Sequence, residues 1–243
     1  MSVLTAARTL RDAVSPYPAR APHGDMAVIL TPLDYAWSLH SQYIERFAPD
    51  GKRVEAVLLG MNPGPWGMAQ TGVPFGTPDL VRDFLGLNAE IRIPENTHPK
   101  RPIRGLTSPR NEVSGQRLWG AVRDRFGTPE AFFERFYIAN WNPLVFQGET
   151  GKNLTPDKLP KDFLAPCRAA CEAHLVALLE TLQPQMVIGV GRFAERQARE
   201  VIQRHALDIA VGNILHPSPA SPLANRGWLQ AALPQLEALG HPW

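Results

Sequence analysis

The chain has 243 residues, 44% of them apolar, and a formal net charge of only +2 with a pI of about 8.7. That length and composition suit one globular α/β domain over residues 1–243. They exclude a basic arm as the device for holding a polyanion, so any contact with nucleic acid has to come from local clusters of cations. No apolar run reaches bilayer length, and MSVLTAARTLRDAV lacks a charged segment followed by an apolar one. The expectation is a soluble intracellular monomer without a membrane partner, cytoplasmic or nucleoid-associated in a bacterium and nuclear in a eukaryote.

In chain order, Leu, Ala and Arg recur with helical spacing from Ser2 to Val14, before Pro16 and Pro18 impose an extended stretch. A second helix is predicted over Asp34–Phe47, with Tyr35, Leu39, Tyr43 and Phe47 on one face. Ala56–Leu59 is an uninterrupted apolar run, the pattern of a strand buried on both faces. It breaks into Gly60-Met61-Asn62-Pro63-Gly64-Pro65-Trp66-Gly67, where alternating Gly and Pro hold a loop in one shape. Pro78–Leu87 reads as a helix. Ile91–Ser114 has no regular pattern but carries Lys100, Arg101, Arg104 and Arg110, which suits either a solvated loop or one that contacts phosphates.

A helix carrying Leu118, Trp119 and Val122 follows, and Phe136–Ala139 is the second buried strand, ending in Asn140-Trp141-Asn142-Pro143. After a turn-rich break at Gly151–Pro156, a long helix covers Lys161–Leu182. Met186–Gly191 is the third strand, with a helix starting near Arg192. Val211–Leu215 is the fourth, ending in His216-Pro217-Ser218-Pro219-Ala220-Ser221-Pro222, and a final helix spans Gly227–Leu239. Four strands separated by helices predict a three-layer αβα architecture around a mostly parallel four-stranded sheet. Cys167 and Cys171, one helical turn apart, are too few for a four-thiolate metal site and read as thiols in a reducing compartment.

Ligands of such sheets bind outside the carboxyl ends of the strands. Three of these ends carry a polar residue held near proline: Asn62, Asn140 and His216. No GxSxG, HExxH or GxxxxGK[ST] occurs, and the histidines show no metal-ligand spacing. Gly189 and Gly191, with Ala194, lack the acidic ribose partner of a dinucleotide site. Neither a metal nor an organic cofactor is expected. What remains is two amides and an imidazole. An amide can read a planar heterocycle by donating and accepting on adjacent atoms, and an imidazole can stabilise charge on a departing ring. Phe75 is placed either to stack on a flat ring or to fill the core.

The stretch GMNPGPWGMAQTGVPFG closely resembles the first motif of the single-strand-selective monofunctional uracil-DNA glycosylase family, and HPSPASPLANRGW its second. HPKRPIRGL, NEVSGQRLWG, ANWNPLVF and GKNLTP match intermediate segments in order, so the resemblance runs from about Thr31 to Trp228. It implies the uracil-DNA glycosylase fold and a cofactor-free hydrolase that flips uracil, or an oxidised uracil such as 5-hydroxymethyluracil, out of single- or double-stranded DNA. Such an enzyme cleaves the N-glycosidic bond and leaves an abasic site for base excision repair. Carried to matching positions, Asn62 would position the water and His216 would stabilise the uracilate at O2. Asn140 would read the Watson–Crick edge and Phe75 would stack on the base. The backbone at Met61 and Phe75 would touch the base, and Gly64 and Met68 would shape the space beside C5. Pro217, Ser218, Pro219, Ala220 and Ser221 would contact DNA.

Two departures stand out. Ala220 and Ser221 replace the family's arginine and asparagine, removing a cationic wedge, and Trp141-Asn142 replace tyrosine and cysteine beside Asn140. A superfamily relative preferring xanthine or hypoxanthine, and a catalytically weak DNA-binding module, are the alternative readings.

Overall fold

In the computed structural model, which describes residues 1–20 and 23–243, the chain opens with helix α1 (Val3–Val14), capped by Ser2, whose side chain accepts from the Thr5 amide. Strand β1 (Met26–Leu30) follows, then α2 (Pro32–Tyr35) and α3 (Trp37–Phe47). The helix expected over Asp34–Phe47 is therefore two, broken at Ala36. Gly72 packs against that break: a Cβ there would lie 2.8 Å from the Ala36 carbonyl oxygen. Strand β2 (Ala56–Gly60) is buried at every position. The short helices α4 (Met68–Thr71) and α5 (Pro78–Asp83) come next, the latter ending a turn earlier than its apolar spacing suggests. The irregular stretch before α6 (Val113–Phe126) holds only a single 3-10 turn at Gly105–Thr107.

Helix α7 (Pro129–Phe133) leads into β3 (Phe136–Asn140), β4 (Val145–Gly148) and the two-residue β5 (Asn153–Leu154). The rest alternates: α8 (Lys161–Leu182), β6 (Met186–Val190), α9 (Arg192–Arg204), β7 (Ala210–Ile214), α10 (Pro222–Asn225) and α11 (Trp228–Ala238). No helix among the described residues is long and apolar enough to cross a membrane.

The four predicted strands form one sheet in the order β3-β2-β6-β7, and every neighbouring pair is parallel. The apolar runs explain the arrangement. A strand with no exposed position must be covered on both faces, which requires a layer of helices on each side. Val57 and Leu58 on β2 and Val187 and Ile188 on β6 are wholly buried at the middle of this core.

A second sheet was not expected. β1, β4 and β5 pair antiparallel in the order β1-β4-β5. β1 has an exposed second position and a register shift between Met26 and Val28. β5 lies inside the stretch read as a turn. β1 is itself an apolar run, Met26–Leu30, that sequence reasoning passed over, whereas β5 is only two residues long.

Both thiols, Cys167 and Cys171, are buried, with their sulfurs 3.7 Å apart and no disulfide between them. Two imidazoles are also enclosed. His40 Nδ1–H donates to the Gly72 carbonyl at 2.8 Å. Burial, partly offset by that bond, holds the His40 pKa down to about 4, and burial does the same to His174. In the unfolded chain each imidazole takes a proton near pH 6.5. The folded state therefore loses stability as pH falls from about 6.5 towards about 4, and these two groups contribute nothing further below that. The expected result is a urea midpoint that drops steadily between pH 7 and pH 4. A midpoint that stays level across that range would contradict it.

Candidate active site

The parallel register brings the strand ends together. Gly60, the last residue of β2, sits opposite Asn140, the last residue of β3. The Trp141 amide donates to the Gly60 carbonyl and the Asn142 amide to the Met61 carbonyl, both at 2.9 Å, so the two loops leave the sheet as a bonded pair. On the other side of β6, the Gly191 amide donates to the Ile214 carbonyl at 2.9 Å, and His216 follows two residues later. A Cβ on Gly191 would sit tightly, 3.1 Å from the Cβ of His216, and the residue has φ of +93°, a conformation that favours glycine.

A cleft of about 490 Å³ lies over these ends. Met61, Asn62, Gly64, Met68, Phe75, Asn140, His216, Ser218 and Pro219 all line it. Pro217, Ala220 and Ser221 do not. Pro217 is buried and its carbonyl accepts from Arg117 at 3.1 Å, Ala220 is exposed at the loop tip, and the Ser221 hydroxyl caps α10 by accepting from the Ala224 amide at 3.3 Å. Trp141 and Asn142 also face elsewhere. Asn142 Oδ1 accepts from the Leu144 amide at 2.7 Å, and both residues line a different cleft, of about 700 Å³. Size does not identify the site: the larger cleft holds none of Asn62, Asn140 and His216, and much of its rim charge is paired, Arg168 with Glu200 and Arg204 with Glu172.

Asn62 and Asn140 each have one end of the amide committed and one end open. Asn62 Nδ2 donates to its neighbour's carbonyl, Pro63, at 3.2 Å, and its Oδ1 makes no hydrogen bond among the described residues. Asn140 Nδ2 donates to the Met68 sulfur at 3.2 Å, a weak acceptor, while its Oδ1 is buried and has no partner. Buried polar atoms are nearly always bonded, so a lone acceptor at a cleft wall marks the place where a donor on a ligand would sit. Phe75 occupies the left-handed region with φ of +55°, a strained conformation for a residue with a side chain. Its ring lies 6.1 Å from that of His216, inclined by 43°. Beneath it, Gly115 at the start of α6 comes so close that a Cβ would lie 2.1 Å from the Phe75 carbonyl oxygen.

His216 is half-buried, and loss of solvent around the ring holds its pKa down to about 4. It is neutral at pH 7 and can donate one ring N–H. The site also contains an acid that sequence reasoning did not single out. Burial pushes the Glu112 carboxyl up, while its Oε2 accepts from the Trp66 amide at 3.0 Å. A Cβ on Gly64 would lie 2.6 Å from that oxygen, so the space that glycine leaves is shared with Glu112. Asn153, Thr155, Ser114 and Arg101 complete the wall. Of these, Asn153 Nδ2 reaches the Pro63 carbonyl at 3.3 Å. All four lie in segments that match the family's intermediate motifs, which was the available signal. Among the described residues no cluster of His, Cys, Asp or Glu could hold a metal ion.

A sequence profile of the uracil DNA glycosylase superfamily matches residues 48–237. The single-strand selective monofunctional uracil-DNA glycosylase of Rattus norvegicus is 45% identical over 215 residues, 88% of this chain and 77% of the relative. The chain belongs to that family. The corresponding proteins of Bos taurus and Mus musculus are 43% and 44% identical over the same length. The glycosylase fold extends to more distant proteins. The crystal structure of Pedobacter heparinus SMUG2 aligns over 95% of this chain and 97% of its own, with a TM-score of 0.60 at 17% identity. Family membership makes this chain a DNA glycosylase, and the expected fold class, a parallel four-stranded sheet between helices, is the one found.

Proposed function

We propose that the protein excises uracil and oxidised uracils such as 5-hydroxymethyluracil from DNA by base flipping and hydrolysis, within base excision repair. The observation that carries this reading is the meeting of Asn62, Asn140, Phe75 and His216 in one cleft, with Asn140 Oδ1 buried and unpartnered.

Uracil presents an N3–H donor beside the O4 acceptor. Asn140 matches it, with Oδ1 accepting from N3–H and Nδ2 leaving the Met68 sulfur to donate to O4. Cytosine has an acceptor at N3 and a donor at C4, so both bonds would be mispaired. Phe75 stacks on the ring, and Gly64 and Met68 border the C5 position. As the C1′–N1 bond breaks, positive charge develops on the sugar and negative charge on the base. Neutral His216 donates its ring N–H to O2 and stabilises that charge. Asn62 is not a base at ordinary pH, so its Oδ1 orients the attacking water. Neither an amine nucleophile nor a metal is needed, and the product is an abasic site.

The deciding experiment is a panel of labelled strands carrying uracil, 5-hydroxymethyluracil, xanthine or hypoxanthine. Release of the first two, leaving an abasic strand, is expected. Preference for the purines, or binding without release, would overturn the reading.

The exposed Ala220 bears on the DNA-opening step. The loop around it is well braced: its amide donates to Ser218 Oγ at 3.1 Å, and Asn225 Nδ2 donates to the Pro219 carbonyl at 2.9 Å. Its tip, however, carries nothing longer than a methyl group. Ala220→Arg should slow release of an abasic duplex by about tenfold, the size of one charge-assisted contact. Stopped-flow dissociation would measure this, and an unchanged rate would show that the tip does not touch DNA.

A further inference from the structure

Beside the cleft lies a second cavity, of about 630 Å³, that the chemistry above leaves unused. Lys100, Arg101, Arg104 and Arg110 line it together with Trp66. None of these four cations makes an ion pair among the described residues, although the surface elsewhere is rich in Arg–carboxylate pairs. No carboxylate lines the cavity. The guanidinium carbons of Arg101 and Arg110 lie 5.2 and 4.9 Å from the centre of the Trp66 ring. Four cations without an ion-pair partner around an indole, of which Arg101 also feels the Glu112 carboxylate, present the two features that hold single-stranded nucleic acid, a positive groove for phosphates and an aromatic face for a base.

The walls are pre-formed. Gln70 is fully buried and uses both ends of its amide. Its Nε2 donates to the carbonyls of Pro65 and Pro102, at 2.9 and 3.1 Å, and its Oε1 accepts from the Arg104 amide at 2.8 Å. One side chain therefore fixes the loop bearing Trp66 to the loop bearing the cations. Arg101 Nε donates to the Gly151 carbonyl at 3.1 Å, and Pro99, Pro102 and Pro109 stiffen the rim.

Continuity decides what the cavity holds. Arg101 lines both cavities, and Trp66 is four residues from Asn62 on the same rigid loop. Its occupant is thus the next unit of whatever enters the cleft. We propose that this cavity is a subsite for the unpaired nucleotide adjacent to the target in a single DNA strand. The base stacks on Trp66, and its phosphate is held by Arg104, Arg110 and Lys100. Arg110 is exposed and unpaired with any acid, so the base replaces its guanidinium on the indole face while the guanidinium moves to the phosphate. In a duplex the neighbouring base is already stacked and paired, and filling this subsite means breaking those contacts as well. A single strand bears no such cost. The subsite rests on the glycosylase reading above.

The test uses single strands carrying a non-cleavable 2′-fluoro-deoxyuridine for binding and deoxyuridine for excision. The neighbour on each side is in turn a normal nucleotide or one lacking its base. Removing the base on one side only should weaken binding by wild-type protein by about tenfold. In Trp66→Ala that loss should vanish, and in Trp66→Phe most of it should persist. The double variant Arg104→Gln/Arg110→Gln should lower the slope of log affinity against log salt by about 2. Excision with no dependence on the neighbouring base in wild-type protein would overturn the subsite while leaving the glycosylase reading intact. A neighbour-base dependence coupled to Trp66 without any excision would do the reverse. Loss of salt dependence in the arginine variant, with no effect of base removal, would reduce the cavity to a phosphate contact and also overturn the proposal.

Discussion

His216→Ala is expected to lower the single-turnover rate of uracil excision by about 10²–10³-fold, the cost of removing one preorganised donor from a developing anion, while leaving the fold intact. The expectation follows from where the ring sits. Its neighbours have stripped away solvent and held its pKa down to about 4. At pH 7 it is neutral and meets the developing anion with a single N–H donor. In a half-buried site a hydrogen bond from this ring to O2 would be worth more than the same bond in water. Asn62→Ala should cause a loss of similar order by a different route. The water then has no acceptor to hold it against the sugar, so the effect should persist with leaving groups that need little stabilisation, where the His216→Ala defect shrinks. Near-native rates in both variants would remove these residues from the chemistry.

Asn140→Asp should change which base is released. A carboxylate accepts on both oxygens, so it retains the partner for uracil N3–H but repels O4. Cytosine, whose C4 amino group donates, gains a partner it lacks in the wild-type site. Sites that bond a substrate group can discriminate against its absence by about 10⁴ or more, so the uracil-over-cytosine ratio should collapse by about that scale. Matched strands carrying either base would give the ratio directly. If it stays the same, Asn140 does not read the base.

Much of the architecture was legible from sequence because the central strands are buried on both faces, and a run such as Ala56-Val57-Leu58-Leu59 admits few other readings. That logic does not cover what was missed. β1 is also an apolar run, Met26–Leu30, but one of its positions is exposed and it pairs with β4 more than a hundred residues later, which leaves no local signal of a second sheet. β5 is two residues long, too short to show any period. Within the cleft, Asn62, Asn140 and His216 were visible because a polar residue next to proline at the end of an apolar run is conspicuous. Glu112 was not, since its position depends on burial against Gly64 and the Trp66 amide, contacts across a fold rather than along a chain. The replacements at Trp141 and Asn142 looked like changes to the pocket wall, yet the chain turns there and directs both residues to the other cleft.

Gly60 makes no contact assigned to substrate. Yet a Cβ on it would lie 2.2 Å from Asn140 Oδ1 and 2.6 Å from the Phe75 ring. One missing carbon thus makes room for both Asn140 and Phe75, the groups proposed to read the base and to stack on it. For anyone seeking new base preferences by randomising this pocket, Gly60 is a position to leave untouched. A library that varies it would displace the Asn140 amide and the Phe75 ring together, and would record as inactive many combinations at Asn140, Gly64 and Met68 that could have worked.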